Sequence, residues 1–458
     1  MASSKGDEPQ FDELRRMAVD HFWPHSQQVA ELAEPDGLHI IKEGKGCWVE
    51  DIHGKRYFDL LAGMWLQNIG YGRTEIADAV YEQLQHINYA PENTTSVPAL
   101  KLVQKLADLA PDKKSRVFLV SGGSEAVETA LKIAKKYHRL KGEPGRYKVI
   151  SRKGSYHGGS FATLSLGGGA SAGDKDYGPL MPGNVHITQP NHYRCLYCSN
   201  LPECNLECAR DVERAIQDEG PGLVAAVIGE PVSVATCMPP HPQYWPTVRS
   251  ICDRYGVLLI IDEVITGFGR TGRMFASEHW GLQPDIMTVA KGLSSGYIPI
   301  GATIARKEVA DAFIGGEEEK LQHVFTFGGH PAACAAALAN LEILEGEGLV
   351  QNSAEMGRYL FEQLDTLYEH PIVGDIRGGL GLLCGIEIVK DRGTKEHFPK
   401  QADLDGKFTR SFRRHGLLTR QRGNIVFLSP PLCITRDEVE HVVRQLNEVL
   451  AEVGRELG

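Results

Sequence analysis

The sequence predicts an α/β protein: a large domain with a mostly parallel central sheet, followed by a smaller α+β domain. Three observations carry this. From Arg116 to about Arg306 short apolar runs alternate with helical segments, the rhythm of a parallel sheet with helices on both faces. Two of these runs, Val257-Leu258-Leu259-Ile260-Ile261 and Ile286-Met287-Thr288-Val289-Ala290, are nearly continuous rather than alternating, as strands buried on both faces are. After Pro331 the rhythm changes to helices first and strands afterwards.

Composition narrows the class. The chain has 458 residues, 42% of them hydrophobic, enough for more than one core, and its 50 glycines suit many tight turns between strand and helix. A net charge of -10 without a dense Lys/Arg run excludes a nucleic-acid footprint and a membrane-surface patch. No apolar segment approaches the roughly 20 residues that span a bilayer, and the polar, acidic N-terminus lacks the apolar core of a secretory signal. The expected setting is cytoplasmic, where the ten cysteines stay reduced by default.

Taken in order, residues 1 to about 35 are a polar lead-in with one amphipathic helix, Phe11 to Phe22. Trp48–Asp51 and Arg56–Asp59 flank a His53-Gly54 turn and predict a hairpin. The spacing of Ile76, Val80 and Leu84 predicts a helix from about Thr74 to His86, and that of Leu100, Val103, Leu106 and Leu109 another from about Ser96 to Leu109. Val117–Val120, Tyr147–Ile150 and Leu223–Gly229 read as strands, the last stopped by Pro231. Beyond Pro331 come a helix to about Leu344, a helix from Ala354 to Tyr368, strands near Ile372–Arg377, Leu382–Val389 and Ile425–Leu428, and a helix from Arg436 to Val453. The expected division is an N-terminal segment, 1–60, a large domain, 61–330, with a cysteine-rich insert at 191–210, and a small domain, 331–458.

Two charges stand out because they end neighbouring apolar runs. Asp262 closes the first and Lys291 the second. Ligands of open α/β sheets bind outside the carboxyl ends of the strands, so both residues are expected to face one crevice. A structural ion pair and a reactive pair both satisfy that placement. Upstream, Ser121-Gly122-Gly123-Ser124 turns from a strand into a helix. The N–H groups of Gly123 and Ser124, the Ser124 hydroxyl and the helix dipole together suit an anion, although such a turn alone is unspecific. Separately, Cys195, Cys198, Cys204 and Cys208 form C-x2-C-x5-C-x3-C. Thiols this dense are expected to hold a structural Zn or Fe–S centre, with reduced thiols or local disulfides as the alternatives.

IIDEVITGFGRTG, with Lys-Gly after the next strand, resembles the class III (fold type I) pyridoxal phosphate aminotransferases, closest to the ω-amino acid and amine:pyruvate transaminases. The likeness extends through SGGSEAVETALKIAKKY, YHGGS, GEPV and FTFGGHPAACAAALA, over nearly the whole chain apart from the extreme N-terminus and the cysteine-bearing insert. It implies a fold type I PLP transferase in which Lys291 forms the Schiff base with pyridoxal 5'-phosphate and Asp262 pairs with the pyridinium nitrogen. The chemistry agrees: only a free amine condenses with a carbonyl, so a desolvated lysine suits the task, and a buried carboxylate keeps the ring an electron sink.

The same resemblance implies the remaining roles. Gly123 and Ser124 take the phosphate, with Gly122 where many members carry Ser. Tyr156 lies against the ring opposite Val264, with His157 behind it. Thr326 reaches the phosphate of a neighbouring subunit, which makes the protein a homodimer or a dimer of dimers. Trp65 lines the substrate pocket, with Tyr89 a further lining residue. Arg420 is the mobile arginine that holds a substrate carboxylate, its neighbour Arg422 being the other candidate, and Glu230 is its partner when it swings out. The N-terminal segment packs with the C-terminal domain. Each has a plainer reading, as a core tryptophan, a loop tyrosine or a surface charge. The expected activity is transfer of an amino group from an amine or ω-amino acid to a keto acid, with pyruvate the expected acceptor. A GABA-type aminotransferase, a phospholyase, an epimerase or a decarboxylase shares this machinery, and a non-catalytic metal-binding scaffold is the alternative outside it.

Overall fold

The computed structural model describes residues 11–34, 37–168, 176–198, 201 and 203–458. Its strands are β1 Ile41–Lys45, β2 Trp48–Asp51, β3 Arg56–Asp59, β4 Arg116–Val120, β5 Lys148–Arg152, β6 Asn184–Ile187, β7 Val224–Gly229, β8 Leu258–Asp262, β9 Ile286–Val289, β10 Gly301–Ala305, β11 Val373–Arg377, β12 Cys384–Ile388, β13 Leu417–Leu418, β14 Gln421–Arg422 and β15 Ile425–Leu428. The longer helices are α1 Phe11–His21, α2 Thr74–His86, α3 Val97–Leu109, α4 Gly123–Leu140, α5 Glu207–Glu219, α6 Tyr244–Tyr255, α7 Pro331–Gly346, α8 Leu349–Leu364, α9 Leu404–Arg414 and α10 Arg436–Leu457.

The central sheet runs β4-β10-β9-β8-β7-β5-β6. β9, β8, β7, β5 and β6 pair in parallel, while β10 is antiparallel to both β9 and β4. The reason β8 reads as an unbroken apolar run is visible in where its residues go. Leu258 and Ile260 pack on one side with Val127, Ala130 and Ala134 of α4, whereas Leu259 and Ile261 pack on the other with Val212, Ile216, Val248 and Ile251 of α5 and α6. A strand alternates its side chains between faces, so two helix-covered faces require apolar residues at every position. Each such side chain contributes about 1.5–3 kcal/mol by leaving water, which makes these strands the stable floor of the molecule.

The later chain forms a second layer of helices around the sheet β11-β12-β15-β14. The predicted elements recur with shifted ends. The second helix after Pro331 begins at Leu349, earlier than the expected Ala354, because Gly348, in the left-handed region at φ +64°, breaks the run between α7 and α8. Its last turn, Asp365–Glu369, tightens to a 3-10 helix. A third sheet, β1-β2-β3-β13, was not anticipated. It contains the expected hairpin, and Leu417 and Leu418 add to β3 in parallel opposite Phe58 and Asp59. A two-residue strand carries no periodicity to read.

Candidate active site

Sheet register puts the chemistry on one rim. Asp262, the last residue of β8, lies opposite Thr288 of β9, and Lys291 follows β9 by two residues. Because β10 is antiparallel, its first residue Gly301 pairs with Val120, the last of β4, so the Ser121–Ser124 turn joins the same edge. β5 ends there in Arg152 and leads to Tyr156 and His157, and β7 ends there just before Glu230. This is the carboxyl end of the parallel strands, the expected binding edge.

Lys291 has φ +44°, an uncommon conformation for a residue with a side chain. Its amine has no hydrogen bond or ion pair among the described residues. Burial pushes its pKa down to about 8, against the charges of Asp262 and Glu230, which act to raise it. Asp262 is buried and triply held: His157 Nδ1 at 2.7 Å from Oδ2, and Val264 N–H at 3.0 Å and the Thr288 hydroxyl at 3.1 Å donating to Oδ1. A carboxylate only accepts, so His157 carries its proton on Nδ1. Its Nε2 is buried without a partner among the described residues. His157 thus acts on Asp262 and orients it.

Gly122 caps α4 without a side-chain hydrogen bond, leaving the first N–H groups of that helix for another acceptor. A Cβ on Gly122 meets nothing within 4 Å, so a serine there has room. At Gly123 the space is closed, since an added Cβ would lie 2.8 Å from Val264 Cγ1. Gly158 is equally tight, 2.5 Å from Ser124 Oγ, and the Ser124 hydroxyl accepts the Gly159 N–H at 3.1 Å while keeping its own proton to donate. Glycines therefore let three loops, those of Ser124, Tyr156 and Val264, close on each other. Tyr156 remains half exposed above them, its N–H pointing to Glu230 Oε1 at 3.4 Å.

Trp65 is buried among Leu61, Val232, Val234, Ile265 and Phe427, with its ring edge-on to Phe427 at 5.7 Å. Its indole N–H is buried without a partner among the described residues. Arg420 sits in the turn between β13 and β14, where its carbonyl accepts the Phe427 N–H at 3.0 Å. Burial and the Arg422 charge pull its guanidinium below the usual arginine range, with Asp405 and Tyr156 acting the other way. Glu230 does not partner it here. The Glu230 carboxylate takes Arg152 Nη2 at 2.9 Å, and the Glu230 carbonyl takes the same nitrogen at 2.6 Å. Both side chains are buried, so the acid goes to the cation at the end of the neighbouring strand. A separate cavity of about 850 Å³, between Val103, Phe118 and Phe313, lies away from this crevice.

Comparison with known proteins settles the family. Residues 31–450 match the family Aminotransferase class-III. The chain belongs to the class III aminotransferases. An uncharacterized aminotransferase of Bacillus subtilis is 42% identical over 95% of this chain and 96% of its own. A putrescine–pyruvate aminotransferase of Pseudomonas aeruginosa is 36% identical over 94% of each. A thermostable (S)-enantioselective omega-transaminase from Thermomicrobium roseum superposes with a TM-score of 0.90 at 38% identity, covering 96% of this chain and 98% of that one.

Class III aminotransferases use pyridoxal phosphate, and the residues here fit it: an unpartnered amine in a desolvated crevice, a fully held carboxylate on the adjacent strand, and a glycine cradle at a helix start. Two other predicted residues meet outside this cluster. The Tyr89 hydroxyl donates to the Thr326 carbonyl at 2.7 Å, in a surface region where Val324 and Phe327 are also exposed.

The cysteine insert departs from expectation. Among the described residues no three His, Cys, Asp or Glu side chains are arranged to hold a metal. All four thiols are free. Cys195 Sγ accepts the N–H groups of Tyr197 and Cys198, both at 3.4 Å, and Cys208 is buried on α5 against Val212 and Ile187. Neighbouring thiols and burial push Cys198 up to about 12, and burial does the same to Cys208. Residues 199, 200 and 202 of the insert lie outside the described residues.

Two contributors escaped sequence reading. Thr288 was legible as the polar residue inside an otherwise apolar strand. Arg152 ends its strand in a charge, as Asp262 ends β8, and the same signal marks it.

Proposed function

We propose that this chain is a pyridoxal phosphate-dependent transaminase that moves an amino group from an amine or ω-amino acid to a keto acid, with pyruvate as acceptor. The observation that carries this reading is the free, desolvated Lys291 amine between Asp262 and Glu230, on the rim that also holds the Ser124 turn. The putrescine–pyruvate relative supports pyruvate as acceptor and an amine as donor, and the likeness to an omega-transaminase supports the transaminase class.

Bound pyridoxal phosphate supplies an electron sink and a carbonyl that carries the amino group. Lys291 would hold the cofactor, and its Nζ, once freed, would take the proton from the amine-bearing carbon of the donor and pass it to the carbon that was the cofactor's carbonyl. Asp262, oriented by His157 and Thr288, keeps a proton on the ring nitrogen. Tyr156 and Val264 would bound the two faces of the ring, and Gly123 and Ser124 would donate to the phosphate. Trp65 limits the size of the donor's substituent, and Arg420 holds the carboxylate of the keto acid through paired hydrogen bonds. We assign Thr326, with Tyr89 bracing its carbonyl, to the site of a second copy, so the working form is a homodimer or a dimer of dimers in the cytoplasm. The large domain, 61–330, carries the rim, and residues 1–60 and 331–458 supply Arg420 and the framework around it.

Assay of a donor panel against pyruvate tests the reading, with alanine as the common product. Lys291→Ala is expected to abolish both turnover and the absorbance of lysine-bound cofactor. Arg420→Leu is expected to raise KM for pyruvate about tenfold or more, the weight of a charge-assisted hydrogen-bonded pair, while the half-reaction with an uncharged amine is unchanged. Release of CO2 or phosphate without alanine would overturn the assignment.

A further inference from the structure

Glu230 and Arg152 form an ion pair that no step so far requires. Arg152 ends β5 and Glu230 follows β7, the adjacent parallel strand. The guanidinium is caged. It stacks on Trp245 at 5.3 Å, and Gly229 gives it room, since a Cβ there would lie 3.2 Å from Arg152 Cζ and 3.0 Å from the Trp245 ring. Trp245 is fixed in turn by its indole N–H to the Pro231 carbonyl at 3.0 Å. Tyr244, fully buried, is a further neighbour of the guanidinium. Ser155 Oγ donates to the Arg152 carbonyl at 2.8 Å. A cation this enclosed has one rotamer and one carboxylate to hold.

What it holds follows β7, which pairs with β8, and β8 pairs in turn with β9, the strand that leads to Lys291. Glu230 Oε2 takes Arg152, leaving Oε1 towards the Tyr156 N–H and the Ser233 hydroxyl, both at 3.4 Å. The charges acting on the Lys291 amine are those of Asp262 and Glu230. Behind Asp262 stands His157, and Tyr156 neighbours Glu230 through its N–H and acts on Arg420 through its phenol. Behind Arg152 stand Tyr244 and, beyond it, Cys208 and Asp211.

We propose that Arg152 is a positioning residue of this transaminase: its caged guanidinium fixes Glu230 as a charged carboxylate beside Lys291, so that the lysine works between two carboxylates and Glu230 is withheld from Arg420. A buried carboxylate without a cation partner is driven to its neutral form. Removing Arg152 is therefore expected to weaken the hold of the Glu230 charge on Lys291. This inference rests on Lys291 being the cofactor lysine.

The test is a pH titration of cofactor absorbance in the substrate-free holoenzyme, for wild type, Arg152→Met, Arg152→Lys, Glu230→Gln and the Arg152→Met/Glu230→Gln pair. Glu230→Gln and Arg152→Met are each expected to lower the midpoint of the lysine-linked transition by roughly one unit, the effect of one nearby charge. The pair is expected to move it no further, because both changes act through the same charge. Arg152→Lys, which keeps the cation, is expected to stay with wild type. Additive shifts, or an Arg152→Met titration that superposes on wild type while Glu230→Gln moves, would overturn the proposal. If Arg152→Met alone does not fold, Glu230→Gln and the pair decide it: equal midpoints support it and a further shift refutes it. Failure of the underlying assignment is separable, since wild type would then show no lysine-linked transition and Lys291→Ala would match it.

Discussion

The depressed proton affinity of Lys291 has a rate consequence that can be worked out in advance. An ordinary lysine, at 10.5, is a free amine about once in 3,000 molecules at pH 7, whereas at about 8 the fraction is about one in ten. Cofactor uptake by apoprotein needs the free amine. Its rate at neutral pH is therefore expected to exceed that of an Nα-acetyl-lysine amide reference, whose side-chain amine is free, by roughly 300-fold on protonation alone. It should climb with pH and level off just above pH 8. Asp262 opposes the shift, so Asp262→Asn is expected to move the plateau to lower pH. The assay is mixing of apoprotein with pyridoxal phosphate from pH 6 to 10, followed by absorbance. A rate still rising between pH 9 and 10, or a plateau moved upward by Asp262→Asn, would refute the reasoning. The same shift bears on stability. The folded amine binds a proton more weakly than the unfolded one, so the penalty is fully present below pH 8 and is relieved as pH rises from about 8 to 10.5. It amounts to at most about 3 kcal/mol, less what solvent at the crevice mouth screens. Apoprotein carrying Lys291→Met is expected to resist urea better at pH 7, with the advantage closing by pH 10.5.

Three further substitutions probe other features. Gly123→Ala places a methyl 2.8 Å from Val264 Cγ1 and is expected to weaken cofactor binding about tenfold, measured by titration of apoprotein, with the fold kept. Asp285 is buried between Arg249 at 2.8 Å and Arg306 at 2.7 Å and accepts the Leu259 N–H, so Asp285→Ala should cost about 3 kcal/mol or more in urea denaturation. Trp65→Ala removes the wall opposite Phe427 and is expected to raise kcat/KM for bulky amines relative to small ones, with an unchanged ratio counting against a pocket role.

The parts of this molecule that were legible in sequence are those fixed by local pattern. β8 could be read because both its faces are covered, and Asp262 and Lys291 because a charge ending such a strand has few places to be. Ser96, N-cap of α3 through its hydroxyl to the Ala99 N–H, and Thr435, capping α10 with Glu438, lie where the helical spacing begins. What pattern does not encode is partnership across distance. Glu230 was expected near Arg420, but Arg152, 78 residues upstream, holds it. The cysteine spacing suggested four converging thiolates, yet one thiol is committed to backbone N–H groups and another to the α5 core. Sequence spacing measures chain length between groups, not the direction in which each side chain leaves the backbone.

The unanticipated pairing of β13 with β3 ties together the two residues proposed to meet substrate. Trp65 follows β3, through a turn pinned by Asp59 to the Leu61 and Gly63 N–H groups, and Arg420 follows β13. They therefore project from the ends of two adjacent parallel strands, as Asp262 and Lys291 project from β8 and β9. On the proposed roles, one strand-end pair bears the chemistry and the other the choice of substrate. Because β13 pairs with β3, a displacement of the small sheet would carry Trp65 and Arg420 together. Pocket width and anion reach are then geared to each other, and a change made to enlarge the first will also reset the second.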